Sequence, residues 1–360
     1  MEGVTKISEG RKVLMTGNRA FADAAIEARC RFYAGYPITP QNEIPERMSE
    51  AIPRHGGVFV QAESELAAVN MVYGAAATGA RAMTSSSSPG ISLMQETLSY
   101  MAGAEIPAVL VNVQRGGPGL GNISASQGDY FQSTRGGGHG DYRMPVLAPY
   151  SVQEAWNLTM HAFDLADRYR TPVMLLSDGV IAQMMEPCLP RPYAPPPGLP
   201  GKDWALTGCA GRDPNVIKSL YLGEGELASR NEFLDRKYRE WARTEAMAQS
   251  LHCDGADLVV VAFGVAARLA HAAIETLRSE GRHGVGLFRP VTLYPFPVDE
   301  LQGLVRQGRR FVVFELNTGQ MVDDVRLALA ALGAEVHHVG IPSPSTVTPE
   351  DLLARLNAWL

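Results

Sequence analysis

Short apolar runs alternate with stretches of helical period along most of this chain. Residues 31–36, 58–60, 81–86 and 107–113 read as strands. The last is an unbroken apolar run of the kind that a parallel sheet buries on both faces. Residues 17–28, 42–51, 64–78 and 91–102 read as the helices between and after them. A strand at 146–149, an amphipathic helix at 152–169 and a strand at 172–177 continue the series. This order implies a doubly wound α/β sheet with right-handed crossovers. Such sheets bind ligands beyond the carboxyl ends of their strands. Thr39, the serines at 85–88, Gln114 and Arg115 fall there.

The pattern then changes. Residues 187–201 are proline-rich and read as an extended linker. Residues 202–254 are polar, and 224–250 read as a charged helix. A second α/β unit begins at Asp257, with strands at 257–264, 285–288 and 310–315 and one near 336–339. Its helices are expected at 265–279 and 322–332. The expected division is therefore 1–186, 187–254 and 255–360. Only Gly264 stands where a dinucleotide fingerprint needs three glycines, and no phosphate-binding loop of the Walker type is present.

The helix at 64–78 is built mostly from Ala and Gly, which lets another backbone or a flat ligand approach closely. Two carboxylates, Glu63 and Glu65, open it. At 3.6 residues per turn, Glu65 shares a stripe with Ala68, Val69, Val72 and Ala76. Two readings stay open. Both acids favour a helix N-terminus and sit in water, or Glu65 is buried and needs a hydrogen-bonding or cationic partner. Residues 115–140 hold nine glycines and no helical period. A loop of this length is either a lid over a site or a mobile surface segment.

Composition narrows the class. The chain has 360 residues, 46% hydrophobic and 19% charged, so it can bury a sizeable core. Its net charge of −6 argues against nucleic acid as the main partner. The four cysteines (30, 188, 209 and 253) are far apart and lack zinc or iron–sulfur spacing, so no metal site is assigned. The first residues lack the apolar core of a signal peptide, and no apolar run reaches bilayer length. A cytoplasmic setting without a membrane is expected.

Several motifs in order then resemble one family. They are YPITPQ (36–41), ESELAA (63–68), TSSSSPGISLMQE (84–96), VQRGGPGLGN (113–122), GGGHGDYR (136–143), FRPVTLYPFP (288–297) and ELNTGQM (315–321). Together they resemble the α subunit of the 2-oxoacid:ferredoxin oxidoreductases, which use thiamine diphosphate. The loop from 113 to 143 is most similar to the branched-chain, 2-oxoisovalerate type. The resemblance implies a thiamine-diphosphate pyrimidine-type domain followed by a smaller transketolase C-terminal-like domain. Thiamine chemistry starts from a carbanion at C2 of the thiazolium, and a carboxyl group must engage N1′ of the aminopyrimidine that acts as base. The resemblance gives that role to Glu65. It gives contacts with the substrate to Thr39 and Arg115, and lining of the aminopyrimidine pocket to Pro37. Ser88 either lies near the cofactor or caps the helix that follows it.

The family's diphosphate site carries a GDG motif, from which Ser177-Asp178-Gly179 departs. The resemblance therefore implies that Mg²⁺ and the diphosphate are held by a β subunit. It places the [4Fe–4S] clusters outside this chain, with γ and ferredoxin-like subunits completing a dimer of hetero-oligomers. The implied reaction turns a 2-oxoacid and CoA into acyl-CoA and CO₂, with electrons passing to ferredoxin. The acid could instead be 2-oxoglutarate, pyruvate or an aryl 2-oxoacid, or the chain could be a non-catalytic scaffold. No CoA-contacting residue is assigned.

Overall fold

The computed structural model describes residues 10–344, 346–356 and 359. In chain order the first elements are β1 Val13–Thr16, α1 Gly17–Glu27, β2 Phe32–Gly35, α2 Glu43–Ala51, β3 Val58–Gln61, α3 Glu65–Ala77, β4 Ala82–Ser86 and α4 Ser88–Ala104. There follow β5 Ala108–Gln114, α5 Tyr130–Arg135, β6 Val146–Leu147, α6 Val152–Tyr169, β7 Pro172–Asp178, α7 Gly179–Gln183 and β8 Met185–Cys188. The remainder is α8 Glu226–Thr244, β9 Ala248–Leu251, β10 Leu258–Val261, α9 Gly264–Ser279, β11 Val285–Pro290, β12 Thr292–Tyr294, α10 Val298–Gln302, β13 Arg310–Glu315, α11 Met321–Leu329, β14 Glu335–Gly340 and α12 Pro349–Leu356.

The first sheet has the order β12-β6-β7-β5-β4-β2-β3 and is parallel except for β12. Every residue of β5 is buried, including Asn112 and Gln114, which interrupt its apolar run. Apolar residues of α3 and α4 pack on one face, and those of α1, α2 and α6 on the other. The second sheet, β14-β13-β10-β11-β9, is parallel except for β9. Tyr130, Phe263, Phe288 and Met321 belong to the same apolar cluster as α3 and α4, so the two units share a core. No helix among the described residues is long and apolar enough to cross a membrane.

Four expectations need correction. The helix read at 224–250 ends at Thr244, and 248–251 forms β9 on the edge of β11. That edge offers hydrogen bonds that helical periodicity cannot register. The helix read from Ile91 starts at Ser88, because Pro89 is tolerated in a first turn. The linker read from 187 begins inside β8, which pairs antiparallel with β1. Finally β12, from the second unit's sequence, closes the edge of the first sheet against β6. The segment 202–254 and the segment after 255 each therefore lend a strand across the expected divisions.

Candidate active site

Strand alternation builds the floor of the site. Leu110 packs with α3 and α4, whereas Met83, Val109 and Val111 pack on the opposite face. Thr84, Ser86, Asn112 and Gln114 therefore face α3 and α4. All four are buried at the carboxyl-end half of β4 and β5. Thr84 Oγ1, Ser87 Oγ and Asn112 Oδ1 are enclosed without a hydrogen-bond partner in the structure. A dry shell of orphaned polar atoms calls for something polar to meet it.

Glu65 opens α3, with Ser64 capping the helix by accepting from the Ala67 amide at 3.2 Å. Glu65 is only 6% exposed and lies on the buried stripe with Ala68, Val69, Val72 and Ala76. Glu63 is exposed. Among the described residues, the Glu65 carboxylate takes one side-chain hydrogen bond, from Ser86 Oγ to Oε1 at 3.5 Å, and no ion pair. Gly90, in the first turn of α4, makes room for it. A Cβ at Gly90 would lie 2.4 Å from Glu65 Oε1 and 2.1 Å from Ser86 Oγ. The carboxylate is thus desolvated and under-satisfied, a costly state for a group without a further partner.

Arg115 reaches the same turn of α4 from the other side. Its amide donates to Ser88 Oγ at 2.9 Å. Its guanidinium donates to the Thr39 carbonyl at 3.0 Å and to the Leu120 carbonyl at 3.2 Å, while Nε is enclosed without a partner. Two backbone carbonyls orient this cation, and among the described residues no carboxylate pairs with it. Thr39 Oγ1 accepts from Asn42 Nδ2 at 3.4 Å, which leaves the hydroxyl proton available. Thr39, Ser88 and Arg115 therefore meet, with Glu65 two residues further along α4 at Gly90. Pro37 stands exposed just beyond β2. Ser88 is the first residue of α4; the N-cap is Ser87, whose side chain makes no capping bond.

Asp178, in the sequence that departs from GDG, has both carboxylate oxygens committed. Oδ1 accepts from the Val180 and Ile181 amides at 3.0 Å each, and Oδ2 from the Val265 amide at 3.0 Å. Burial pushes its carboxyl up to about 6, against the pull of those amides. It caps α7 and ties the first unit to the start of α9.

The glycine-rich loop is anchored at both ends of its polar middle. Gln127 donates to the Phe263 carbonyl at 2.7 Å and accepts from the Leu316 amide at 3.0 Å. Gln320 accepts from the Phe131 amide at 2.7 Å and donates to the Gly128 carbonyl at 2.8 Å. The motif ELNTGQM thus grips the loop that begins at Arg115. Inside that motif, Glu315 receives the Met321 amide at 2.9 Å, the Val322 amide at 3.1 Å and Asn317 Nδ2 at 2.9 Å.

Ser86 lies among the serines at 85–88 expected beyond the strand ends, whereas Gly90, Asn112 and Asp129 join the candidate site without such an expectation. The signal for Ser86 and Gly90 was their place in SSSSPG beyond β4. For Asn112 it was a lone amide in an apolar strand.

Two family models match the chain. Residues 23–195 match "Pyruvate flavodoxin/ferredoxin oxidoreductase, thiamine diP-bdg", and residues 256–352 match "Pyruvate:ferredoxin oxidoreductase core domain II". The ketoisovalerate oxidoreductase subunit VorB of Methanothermobacter thermautotrophicus is 49% identical over 90% of this chain and 91% of its own length. The 2-oxoglutarate synthase subunit KorA of the same organism is 37% identical, over 94% of this chain and 96% of its own. Among solved structures, the 2-oxoglutarate:ferredoxin oxidoreductase of Magnetococcus marinus, with 2-oxoglutarate, coenzyme A and succinyl-CoA bound, superposes with a TM-score of 0.83 at 27% identity. That match covers 97% of this chain but 65% of the longer one. The chain belongs to the 2-oxoacid:ferredoxin oxidoreductase family, as a subunit of such an enzyme.

Proposed function

We propose that this chain supplies the aminopyrimidine side and the substrate-carboxylate side of a thiamine-diphosphate active site shared with a β subunit. The observation that carries this reading is the pairing, on one turn of α4, of a dry and under-satisfied Glu65 with an Arg115 that no carboxylate pairs among the described residues. The residues present fit that half of the cofactor. One buried carboxylate and the orphaned oxygens of Thr84, Ser87 and Asn112 suit a nitrogen-rich ring with donors to offer. They do not suit a diphosphate with Mg²⁺, since the oxygens of Asp178 are already taken.

When bound, thiamine diphosphate would supply a nucleophilic carbon and an electron sink for the decarboxylation of a 2-oxoacid. Glu65 would share a proton with a nitrogen of the aminopyrimidine. Thr39 would donate a hydrogen bond from its hydroxyl to the 2-oxo oxygen or carboxylate of the substrate, and Arg115 would pair with the substrate carboxylate. The apolar shell of α3 and α4 excludes water from Glu65, which strengthens every hydrogen bond made there. Pro37 borders the ring pocket, and Ser88 holds the Arg115 backbone. The β subunit brings Mg²⁺ and the diphosphate-binding groups, and further γ and ferredoxin-like subunits carry the electrons to ferredoxin. CoA takes the acyl group. On this reading residues 1–186 form the pyrimidine-type unit and 255–360 the smaller one. Three of the four free cysteines are buried, in keeping with a cytoplasmic setting.

The substrate proposed is 2-oxoisovalerate. It is the acid named for the relative at 49% identity, against 37% for the 2-oxoglutarate relative. Leu120 and Ile123, 81% and 65% exposed on the loop that carries Arg115, offer a branched acyl chain an apolar neighbour. In the assembled complex, Glu65→Gln should keep subunit assembly and lose turnover by orders of magnitude. Unchanged turnover in that variant would remove Glu65 from the chemistry. Turnover profiling with 2-oxoisovalerate, 2-oxoglutarate, pyruvate and an aryl 2-oxoacid tests the substrate separately.

A further inference from the structure

The turn that carries Pro37 and Thr39 is held from behind by side chains that the scheme above does not use. Tyr33 and Met83 pack on the face of the first sheet that α1, α2 and α6 cover, and Ser85, two residues on from Met83, points the same way. That face is opposite the one that Glu65 packs against. Gln41 ends the motif YPITPQ and is fully buried. Its Oε1 accepts from Ser85 Oγ at 2.6 Å, and its Nε2 donates to the Tyr36 carbonyl at 3.1 Å. Its amide donates to the Ile38 carbonyl at 3.1 Å. Gln41 therefore closes residues 36–41 into a ring that contains Pro37 and Thr39.

The polarity of this chain of bonds is fixed by chemistry. The Tyr36 carbonyl can only accept, so the amide nitrogen of Gln41 faces it. Gln41 Oε1 can also only accept, so Ser85 spends its single proton there. The Tyr33 hydroxyl, 2.6 Å from Ser85 Oγ, must then donate to it. Gly35 makes room for that hydroxyl, since a Cβ there would lie 2.6 Å from it. Tyr33, Ser85 and Gln41 are all fully buried, so each bond is made away from water. β2 and β4 thus hold one side chain, and that side chain holds the turn. From the turn, the Thr39 carbonyl aims the Arg115 guanidinium at 3.0 Å. We propose that Gln41 is a positioning residue for the substrate-carboxylate site, fixing the Thr39 hydroxyl and, through the Thr39 carbonyl, the guanidinium of Arg115. The Pro40 carbonyl has its own tether, accepting from Asn18 Nδ2 at 2.9 Å, so loss of Gln41 disturbs the orientation of the turn rather than its attachment. This rests on the reading of Thr39 and Arg115 as substrate ligands.

The test uses the assembled complex. It measures apparent KM for the 2-oxoacid and for CoA, and amide hydrogen exchange over residues 36–42. Gln41→Met keeps the length of the side chain and removes both of its hydrogen bonds. It should raise the 2-oxoacid KM about tenfold, the net worth of one hydrogen bond at the upper end of its usual range. Exchange over 36–42 should accelerate, and the KM for CoA should stay within about twofold. Thr159→Val is the control for lost stability, because it removes a buried hydrogen bond, 2.6 Å to the Ala155 carbonyl, in α6. Its 2-oxoacid KM should match the parent's. Ser85→Ala should move the 2-oxoacid KM in the same direction, and the double variant should be no worse than Gln41→Met, since both cut one chain. A 2-oxoacid KM within twofold of the parent in Gln41→Met, unchanged exchange over 36–42, an equal rise in the KM for CoA, or an equal rise in Thr159→Val overturns the proposal, as do additive effects in the double variant. If Gln41→Met does not assemble, Ser85→Ala carries the test from the other end of the same bond, and an unchanged KM there overturns it equally. Arg115→Ala separates the two levels. If it raises the 2-oxoacid KM while Gln41→Met does not, only this inference falls. If Arg115→Ala itself leaves that KM unchanged, the reading of Arg115 falls and takes this inference with it.

Discussion

Adding one methyl group at Gly90 probes the space around Glu65 without touching the carboxylate. The Cβ of Gly90→Ala would lie 2.4 Å from Glu65 Oε1 and 2.8 Å from Glu65 Cγ, where ordinary contact begins at 3.4 Å. Ser86, 2.1 Å away through Oγ, sits on a buried strand and can only rotate its hydroxyl. The Glu65 side chain must therefore retreat by about 1 Å, a misplacement that costs on the order of 100-fold in rate. Overpacking costs about 1–3 kcal/mol, offset by about 1 kcal/mol of better helix propensity. The fold should survive with a slightly lower melting temperature. Gly74→Ala in α3 is the control: its Cβ would meet nothing within 4 Å. It should gain up to about 1 kcal/mol and leave turnover alone. Steady-state turnover of the assembled complex, read beside melting curves of both variants, makes the comparison. Turnover of Gly90→Ala within twofold of the parent, with the complex intact, would refute the claim that the chemistry needs this carboxylate in this place.

Two further outcomes concern stability and pH. Asp178→Asn removes an acceptor from the Val265 amide, so hydrogen exchange at Val265 should accelerate and the melting temperature should fall by the equivalent of about 1–3 kcal/mol. Because burial raises the Asp178 carboxyl from 3.8 to about 6, its stabilising share is full below 3.8 and lost as pH rises through 6. The parent should gain stability on acidification across that window relative to Asp178→Asn. Glu315 runs the other way: burial pushes its carboxyl up, but His338, the Met321 and Val322 amides and Asn317 together hold it below the usual Glu range. Its contribution is present above the ordinary 4.5 and lost as pH falls through the lower, folded value. Glu315→Gln should cost about 1.5–3 kcal/mol at neutral pH and flatten the acid limb of the melting-temperature profile. A parental profile already flat below pH 4.5 would count against this.

The first sheet was legible because period and strand polarity act locally. The stripe through Glu65, Ala68, Val69, Val72 and Ala76 follows from helix geometry, and all five are buried, with Ala77 beside them. The meeting of Thr39, Ser88 and Arg115 follows from their places beyond three neighbouring strands of a doubly wound sheet. What escaped depends on partners distant in sequence. β9 and β12 are short segments whose form is decided by an open sheet edge rather than by their own pattern. The glycine-rich loop has no period to read, and its order comes from Gln127 and Gln320, which are paired across some 190 residues. Asp129 looked like one more polar loop residue, since nothing in its surroundings in the sequence distinguishes an inward carboxylate from a solvated cap.

The strand Thr292–Tyr294 is made late and needed early. β6 has only two residues, and its outer edge is closed by β12 alone, with Thr292 Oγ1 also accepting from the Met247 amide at 2.8 Å. On a translating ribosome β7 emerges on the order of ten seconds before β12, at about 5–20 residues per second. Throughout that interval the nascent first sheet presents a bare, apolar rim of the kind that invites pairing with a stranger. Expressing the first unit alone would make that interval permanent. The strand lent across the division thus ties the two units together, quite apart from any demand of the chemistry.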